Sequence, residues 1–188
     1  MSKKWIAFFS QTGAEIVEVS RRLGHVPDLI VTNKDFTKEP PCNAFTDMTT
    51  NHLIAVEHLT KKPQLQEYED VVQRHKSLFD NCVITLHGYL RIIPAELCNQ
   101  FCILNSHPGD IVNHPELRGF NPQEKAFNLE LESTGVTLHK VVPEVDAGPI
   151  ISLRTASIKD LTLDEVYKNL HDISIAQWCD VLKDYIGD

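Results

Sequence analysis

Apolar residues fall along this chain in two rhythms. Short unbroken runs occur at Trp5 to Phe9 (WIAFF), Asp28 to Thr32 (DLIVT), Cys82 to Leu86 (CVITL) and Phe101 to Leu104 (FCIL). Runs of that length and make-up suit strands buried on both faces. Between them, apolar positions recur at helix spacing from Ala14 to Leu23 and from Gln64 to Lys76. Strand, loop SQTG, helix, strand is the opening of a parallel sheet with crossover helices. Pro94 can start a short helix, because its missing N–H is harmless in a first turn. A further helix is expected from Asn121 to Leu131, with Pro122 near its start. Thr134 to Val142 alternates as a strand does, and Ile150 to Ile158 is again strand-like. Asp160 to Ile186 carries a long helical pattern with Leu163, Val166, Tyr167 and Leu170 in phase, and Asp160 or Thr162 to cap it. Residues 33–63 have no clear rhythm, and KDFTKEPPCNAF reads as a loop around adjacent prolines. There is no repeat and no low-complexity linker. The expectation is one α/β domain over residues 1–188: an open, mainly parallel, Rossmann-like twisted sheet with helices on both faces.

Composition narrows the partners. A chain of 188 residues can bury most of its apolar surface without staples. Its formal net charge of -8 leaves no basic stripe for nucleic acid. No run approaches the roughly 20 apolar residues of a membrane span, and the apolar run in MSKKWIAFFSQTG is too short for a signal core. The 5 cysteines, Cys42, Cys82, Cys98, Cys102 and Cys179, form no CxxC pair and read as reduced, packed thiols in a cytoplasmic protein. Cys98 and Cys102 lack partners for a zinc site, and His25, His52, His58, His75 and His114 form no metal constellation. No metal is expected.

The loops that stand out all follow strands: SQTG, HGYLRII and NSHPG. Ligands of open α/β sheets bind outside those carboxyl ends. Asn105 and His107 are two apart at a strand end, so they point to the same side. An amide and an imidazole placed so can both donate to one developing oxyanion. Asp146, in PEVDAGP, can stabilise a charged imidazole and pass on a proton. Each has a plainer reading alone: a hydrogen-bonded loop Asn, a structural His, and an Asp that makes its own turn.

Taken together, NSHPG, PELRG, GVTLH and EVDAGPII resemble the folate-dependent formyltransferases. The likeness is strongest from Gly88 to Ile151, and in size and motifs it is nearest the phosphoribosylglycinamide branch. Asn105, His107 and Asp146 match the family's catalytic pattern in order, type and spacing. The resemblance implies the formyltransferase fold and N10-formyltetrahydrofolate as co-substrate. That folate would lie against Leu90, Arg91, Ile92 and Ile93, with Val142, Pro143 and Glu144 of the loop leading to Asp146 holding its pterin. An amine would attack the formyl carbon. Asn105 and a protonated His107 would stabilise the oxyanion, and Asp146 would support that charge and shuttle protons through a water. Thr137 would help place the water, framed by Gly135 and His139.

The implied acceptor is a small-molecule amine, with glycinamide ribonucleotide of purine biosynthesis ranked first. Its contacts would come from Thr12, Gly13, Ala14, Glu15, His87, Gly88, Pro108 and Thr137. In that branch the first βα loop, Gly-Asn-Gly-Ser-Asn, cradles a phosphate; here it reads Gln11-Thr12-Gly13-Ala14-Glu15. Glu15 brings a like charge to that place unless it turns away, and Ser174 stands near the branch's ribose-binding Glu. GFNPQ, Gly119 to Gln123, resembles the sugar-nucleotide enzymes instead. The alternatives are therefore an amino-sugar nucleotide or another amine as acceptor, hydrolysis without an amine, and an inactive folate-binding module. A transfer-RNA acceptor ranks low, for want of the extra domain that branch carries. A nucleotide-binding protein without folate ranks last, since SQTGAE is a poor dinucleotide fingerprint. The expected partners are folate and the amine, with no nucleic acid and no membrane, and a homodimer as a plausible assembly.

Overall fold

The computed structural model describes residues 2–187. Its elements are β1 (Lys4–Phe9), α1 (Ala14–Leu23), β2 (Leu29–Thr32), α2 (Asn43–Asn51), β3 (Ala55–His58), α3 (Leu65–Arg74), α4 (Lys76–Phe79), β4 (Cys82–His87), α5 (Ala95–Gln100), β5 (Ile103–His107), α6 (Pro122–Asn128), β6 (Ser133–Lys140), β7 (Ile150–Ser157) and α7 (Leu163–Ile186), with a 3-10 turn at Pro115–Leu117. The strands form one 7-stranded sheet in the order β3-β2-β1-β4-β5-β6-β7. β1 to β5 are mutually parallel, while β6 runs antiparallel to β5 and β7 antiparallel to β6. The expected mainly parallel α/β sheet is present.

The unbroken apolar runs are explained by cover on both faces. In β1, Trp5, Ala7 and Phe9 pack one way with Ile16 and Val19 of α1, Phe45 of α2, and Trp178 and Leu182 of α7. Ile6 and Phe8 face the other way, with Tyr68 and Val71 of α3 and Leu97 of α5. A third cluster joins Leu117, Ala126, Val136, Val166 and Leu170 beneath the far end of the sheet. Thr162, rather than Asp160, caps α7: its side chain accepts from the Glu165 N–H, and Glu165 answers at the Thr162 N–H. Among the described residues, no helix is long and apolar enough to cross a membrane.

The stretch 33–63 is the main correction. It holds α2, which begins inside the segment read as a loop, and the edge strand β3. α2 starts with no side-chain cap and buries only Phe45 and Met48. β3 has no fully buried residue. Neither therefore carries the apolar rhythm that marks the inner elements.

Two features aim the end of the sheet at one place. The β6–β7 pairing has a register shift at Leu138/His139, and such irregularities re-aim side chains next to sites. The loop that follows is closed by the Lys140 N–H to the Pro149 carbonyl at 2.9 Å. At Gly148 the backbone passes so close to β6 that a Cβ would collide with the Lys140 carbonyl oxygen. Gly148→Ala must therefore lift this loop, at a cost of about 1–3 kcal/mol. Urea unfolding checks it, and a variant as stable as the parent would contradict the close approach.

Candidate active site

β5 carries Asn105 and His107 to the sheet's end, and antiparallel pairing sets His139 opposite Asn105 and Thr137 opposite His107. The loop after β6 brings Asp146 in from the side, in a left-handed backbone conformation (φ 51) that Asp adopts more readily than most residues. The three residues expected to act together do meet. His107 Nδ1 lies 3.3 Å from Asp146 Oδ2. The same oxygen accepts the Gly119 N–H at 2.8 Å. The other carboxylate oxygen, Oδ1, lies 3.4 Å from His139 Nε2. His139, expected only to frame a water, is thus a second imidazole on the same carboxylate.

Partners assign the ring protons. His107 Nε2 donates to the Leu117 carbonyl at 2.8 Å, and His139 Nδ1 to the Lys140 carbonyl at 3.1 Å, since a carbonyl can only accept. With its proton on Nδ1, His139 accepts the Asn105 amide N–H at Nε2, 3.3 Å away. An amide has two N–H donors, so one remains for a ligand.

Burial pushes the Asp146 pKa up, but the His139 and His107 imidazoles in their protonated forms and the Gly119 N–H together outweigh it, and the carboxyl sits below its ordinary value. Burial is the larger influence on His107 and holds it below its ordinary value against the pull of Asp146 and the Leu117 carbonyl. The shift favours the neutral ring in the empty site. A proton arriving at Nδ1 would turn the 3.3 Å approach to Asp146 into a charge-assisted hydrogen bond.

A cavity of about 750 Å³ opens above this group, within the range of small-molecule sites. Leu90, Arg91, Ile92, Ile93, Val142, Pro143, Gly88 and Pro108 line it. Glu144 does not line it; Val141 and Val145 do. The expected contacts Thr12, Gly13, Ala14 and Glu15 lie outside the lining, where Gln11 stands instead. Gly13 faces Phe45, which leaves no room for a Cβ. His87 is buried, bonded to Glu15 and to Thr85 Oγ1, and does not reach the cavity. Thr137 is fully buried: its hydroxyl donates to the Gly109 carbonyl at 2.7 Å and so holds the Pro108–Gly109 turn.

Sequence reasoning missed Ser106, Phe120, Asn121 and Tyr167 in the lining. The signal for two of them lay in GFNPQ. Gly119 and Asn121 have positive φ, and the turn they make leaves Phe120 76% exposed at the mouth. Among the described residues, no group of His, Cys, Asp and Glu could hold a metal ion.

The family model described as "Formyl transferase" matches residues 6–182. The crystal structure of phosphoribosylglycinamide formyltransferase from Bacillus Halodurans superposes with a TM-score of 0.78 at 25% identity, over 98% of this chain and 96% of that one. A phosphoribosylglycinamide formyltransferase of Bacillus subtilis (strain 168) is 27% identical over 123 residues, 64% of this chain and 62% of that protein. A dTDP-4-amino-4,6-dideoxyglucose formyltransferase of Mycobacterium bovis is 28% identical over 143 residues, 68% of this chain and 59% of that protein. The matches to these two curated relatives thus span less than two thirds of their lengths.

The depressed His107 value fixes the sign of a pH effect. As pH falls through its ordinary value of 6.5, the unfolded chain takes the proton before the folded one does, so stability falls with acidification. Asp146 adds a second loss only below its ordinary 3.8, as pH drops through the still lower folded value. Melting temperature measured from pH 7.5 to 5 should decline more steeply in the parent than in His107→Gln. Equal slopes would contradict the assignment.

Proposed function

The chain belongs to the formyl transferase family, and from that premise we propose that it moves a formyl group from N10-formyltetrahydrofolate to the amine of a small molecule. The observation that carries this reading is the convergence of Asn105, His107 and Asp146 on the floor of a cavity with an apolar wall. The folate lies along Leu90 to Ile93 and Val141 to Val145, with Ile92 and Leu90 exposed to cover its ring system. The acceptor enters on the side of Ser106, Phe120 and Tyr167.

The amine nitrogen attacks the formyl carbon, and the carbonyl oxygen becomes an oxyanion. The free Asn105 N–H donates to it. The attacking nitrogen, now cationic, gives up a proton, which His107 Nδ1 takes and Asp146 stabilises. The charged His107 then returns that proton, through a water, to N10 of the folate as the bond from N10 to the formyl carbon breaks, and the ring is neutral again. The products are a formamide and tetrahydrofolate. His107 is thus a base that becomes charged during the reaction, which fits its neutral resting form. No step calls on a metal.

Glycinamide ribonucleotide is the first acceptor to test, because relatives named for that activity match both in sequence and in structure. An amino-sugar nucleotide is the second reading, favoured by the Mycobacterium bovis relative and by the GFNPQ loop with its exposed aromatic ring. The free, unpaired cysteines suit a cytoplasmic setting.

The test is deformylation of 10-formyl-5,8-dideazafolate, followed by absorbance with each amine and with none. Turnover is expected with one amine. Asn105→Ala should lower kcat roughly 10²–10³-fold. Asp146→Asn, whose side chain tolerates the same backbone conformation, should lower it roughly 10²–10⁴-fold with the fold intact and only a modest fall in melting temperature. Failure of the parent to bind the folate analogue, or normal turnover by Asp146→Asn, would refute the reading. Turnover without an amine would reassign the chain as a hydrolase.

A further inference from the structure

β1 and β4 are neighbours, but β2 and β3 lie on one side of them and β5 to β7 on the other. The crevice beyond their carboxyl ends is therefore the switch point of the sheet, the usual place for a ligand. α1 begins there, with Glu15 in its first turn. Backbone N–H groups at such a helix start attract an anion.

Glu15 does not turn out to solvent. Its side chain is 16% exposed, and Oε1 accepts from Ser174 Oγ at 2.6 Å. Oε2 accepts from His87 Nδ1 at 3.0 Å. Both partners are ends of longer chains. Trp5 Nε1 donates to Thr85 Oγ1 at 2.7 Å, and that hydroxyl donates to His87 Nε2 at 2.9 Å. From the other side, Ser106 Oγ donates to Ser174 Oγ at 2.8 Å. In this assignment every donor points toward Glu15, which satisfies each buried group and requires an ionised carboxylate as the sink. Burial pushes the Glu15 pKa up, but the bonds from His87 and Ser174 outweigh it and hold the carboxyl below its ordinary value.

Ser106 lines the cavity between Asn105 and His107. A fixed negative charge thus stands two hydroxyls behind the cavity floor. Among the lining residues the one Lys or Arg is Arg91, and two of its five N–H donors go to the Lys61 and Leu90 carbonyls. The remaining polar groups at the inner end, Gln11, Ser106 and Asn105, are neutral.

We propose that Glu15 is a specificity-determining residue: its carboxylate, held behind Ser106 in the first turn of α1, sets a negative charge at the switch point, so the acceptor presents an uncharged, hydrogen-bonding portion to Ser106 and no phosphate. The word acceptor rests on the formyl-transfer reading; the exclusion of an anion stands on the network alone. Among candidate amines this disfavours any that is anchored by a terminal phosphate at the β1–α1 corner.

The probe is inorganic phosphate, titrated into the parent, Glu15→Gln and Glu15→Ala while the backbone amides at positions 14 to 16 are followed by NMR. Those amides should respond saturably in at least one variant, at least tenfold more tightly than in the parent. Binding in the parent as tight as in the variants would overturn the proposal, and so would the absence of a response in both variants. Binding of 10-formyl-5,8-dideazafolate is measured on the same samples. Its loss in the parent would overturn formyl transfer while leaving the phosphate comparison intact.

Discussion

The site depends on the antiparallel register between β5 and β6. That pairing puts His139 opposite Asn105 and Thr137 opposite His107. A shift by one residue would turn each of these side chains to the other face. Thr137 then pins the Pro108–Gly109 turn, and the loop that leaves β6 has only one way back to β7, across the two imidazoles. Asp146 arrives between them because Lys140 and Pro149 close the loop and Gly148 lets it lie flat against the strand. The reacting groups are thus placed by strand pairing and backbone closure, with no salt bridge needed to pull them together.

Two partly buried carboxylates, Asp146 and Glu15, organise the polar groups around the site, and they are held in different ways. Asp146 has two imidazoles and a backbone N–H around it, and its contacts to the rings are long enough to tighten when a proton arrives. Glu15 has short bonds from groups that are themselves bonded further back, so it is satisfied already. The first arrangement leaves capacity for a proton during turnover, and the second leaves none to spare. An unsatisfied buried group costs about 1–3 kcal/mol, which explains why the Glu15 network reaches as far as Trp5 before it ends.

Much of this was legible in the chain. WIAFF, DLIVT and CVITL announce doubly covered strands because cover on both faces leaves no alternation of apolar and polar positions, and even Thr32 and Thr85 are buried. The N-x-H spacing and the later Asp could be read as one site because β5 makes residues two apart point the same way. α2 and β3 could not be read: an uncapped helix burying two side chains and an edge strand with none fully buried leave little pattern. Thr12 to Glu15 and Glu144 were placed at the cavity by the likeness of their loops to the family's, yet side-chain direction decides the lining, and Gln11 and Val145 point in instead. His87 was misplaced for the same reason. A strand-end histidine has two faces to choose from, and the acceptor waiting on the far side, Glu15, is 72 residues away in the chain.

The way α7 closes the sheet has a consequence for how the protein is made. Trp5 and Phe9 of the first strand share their packing layer with Trp178 and Leu182 of the last helix. On the ribosome the amino-terminal strands emerge long before that helix exists. α1 and α2 can cover part of that face of β1 early, but the part that meets Trp178 and Leu182 stays open until α7 is made, and such a half-finished layer exposes aromatic surface of the kind that binds chaperones or aggregates. Parallel pairs such as Lys4 with Cys82 add long loops to close, which slows folding further. The layer around Trp5 and Phe9 is thus completed only when α7 docks.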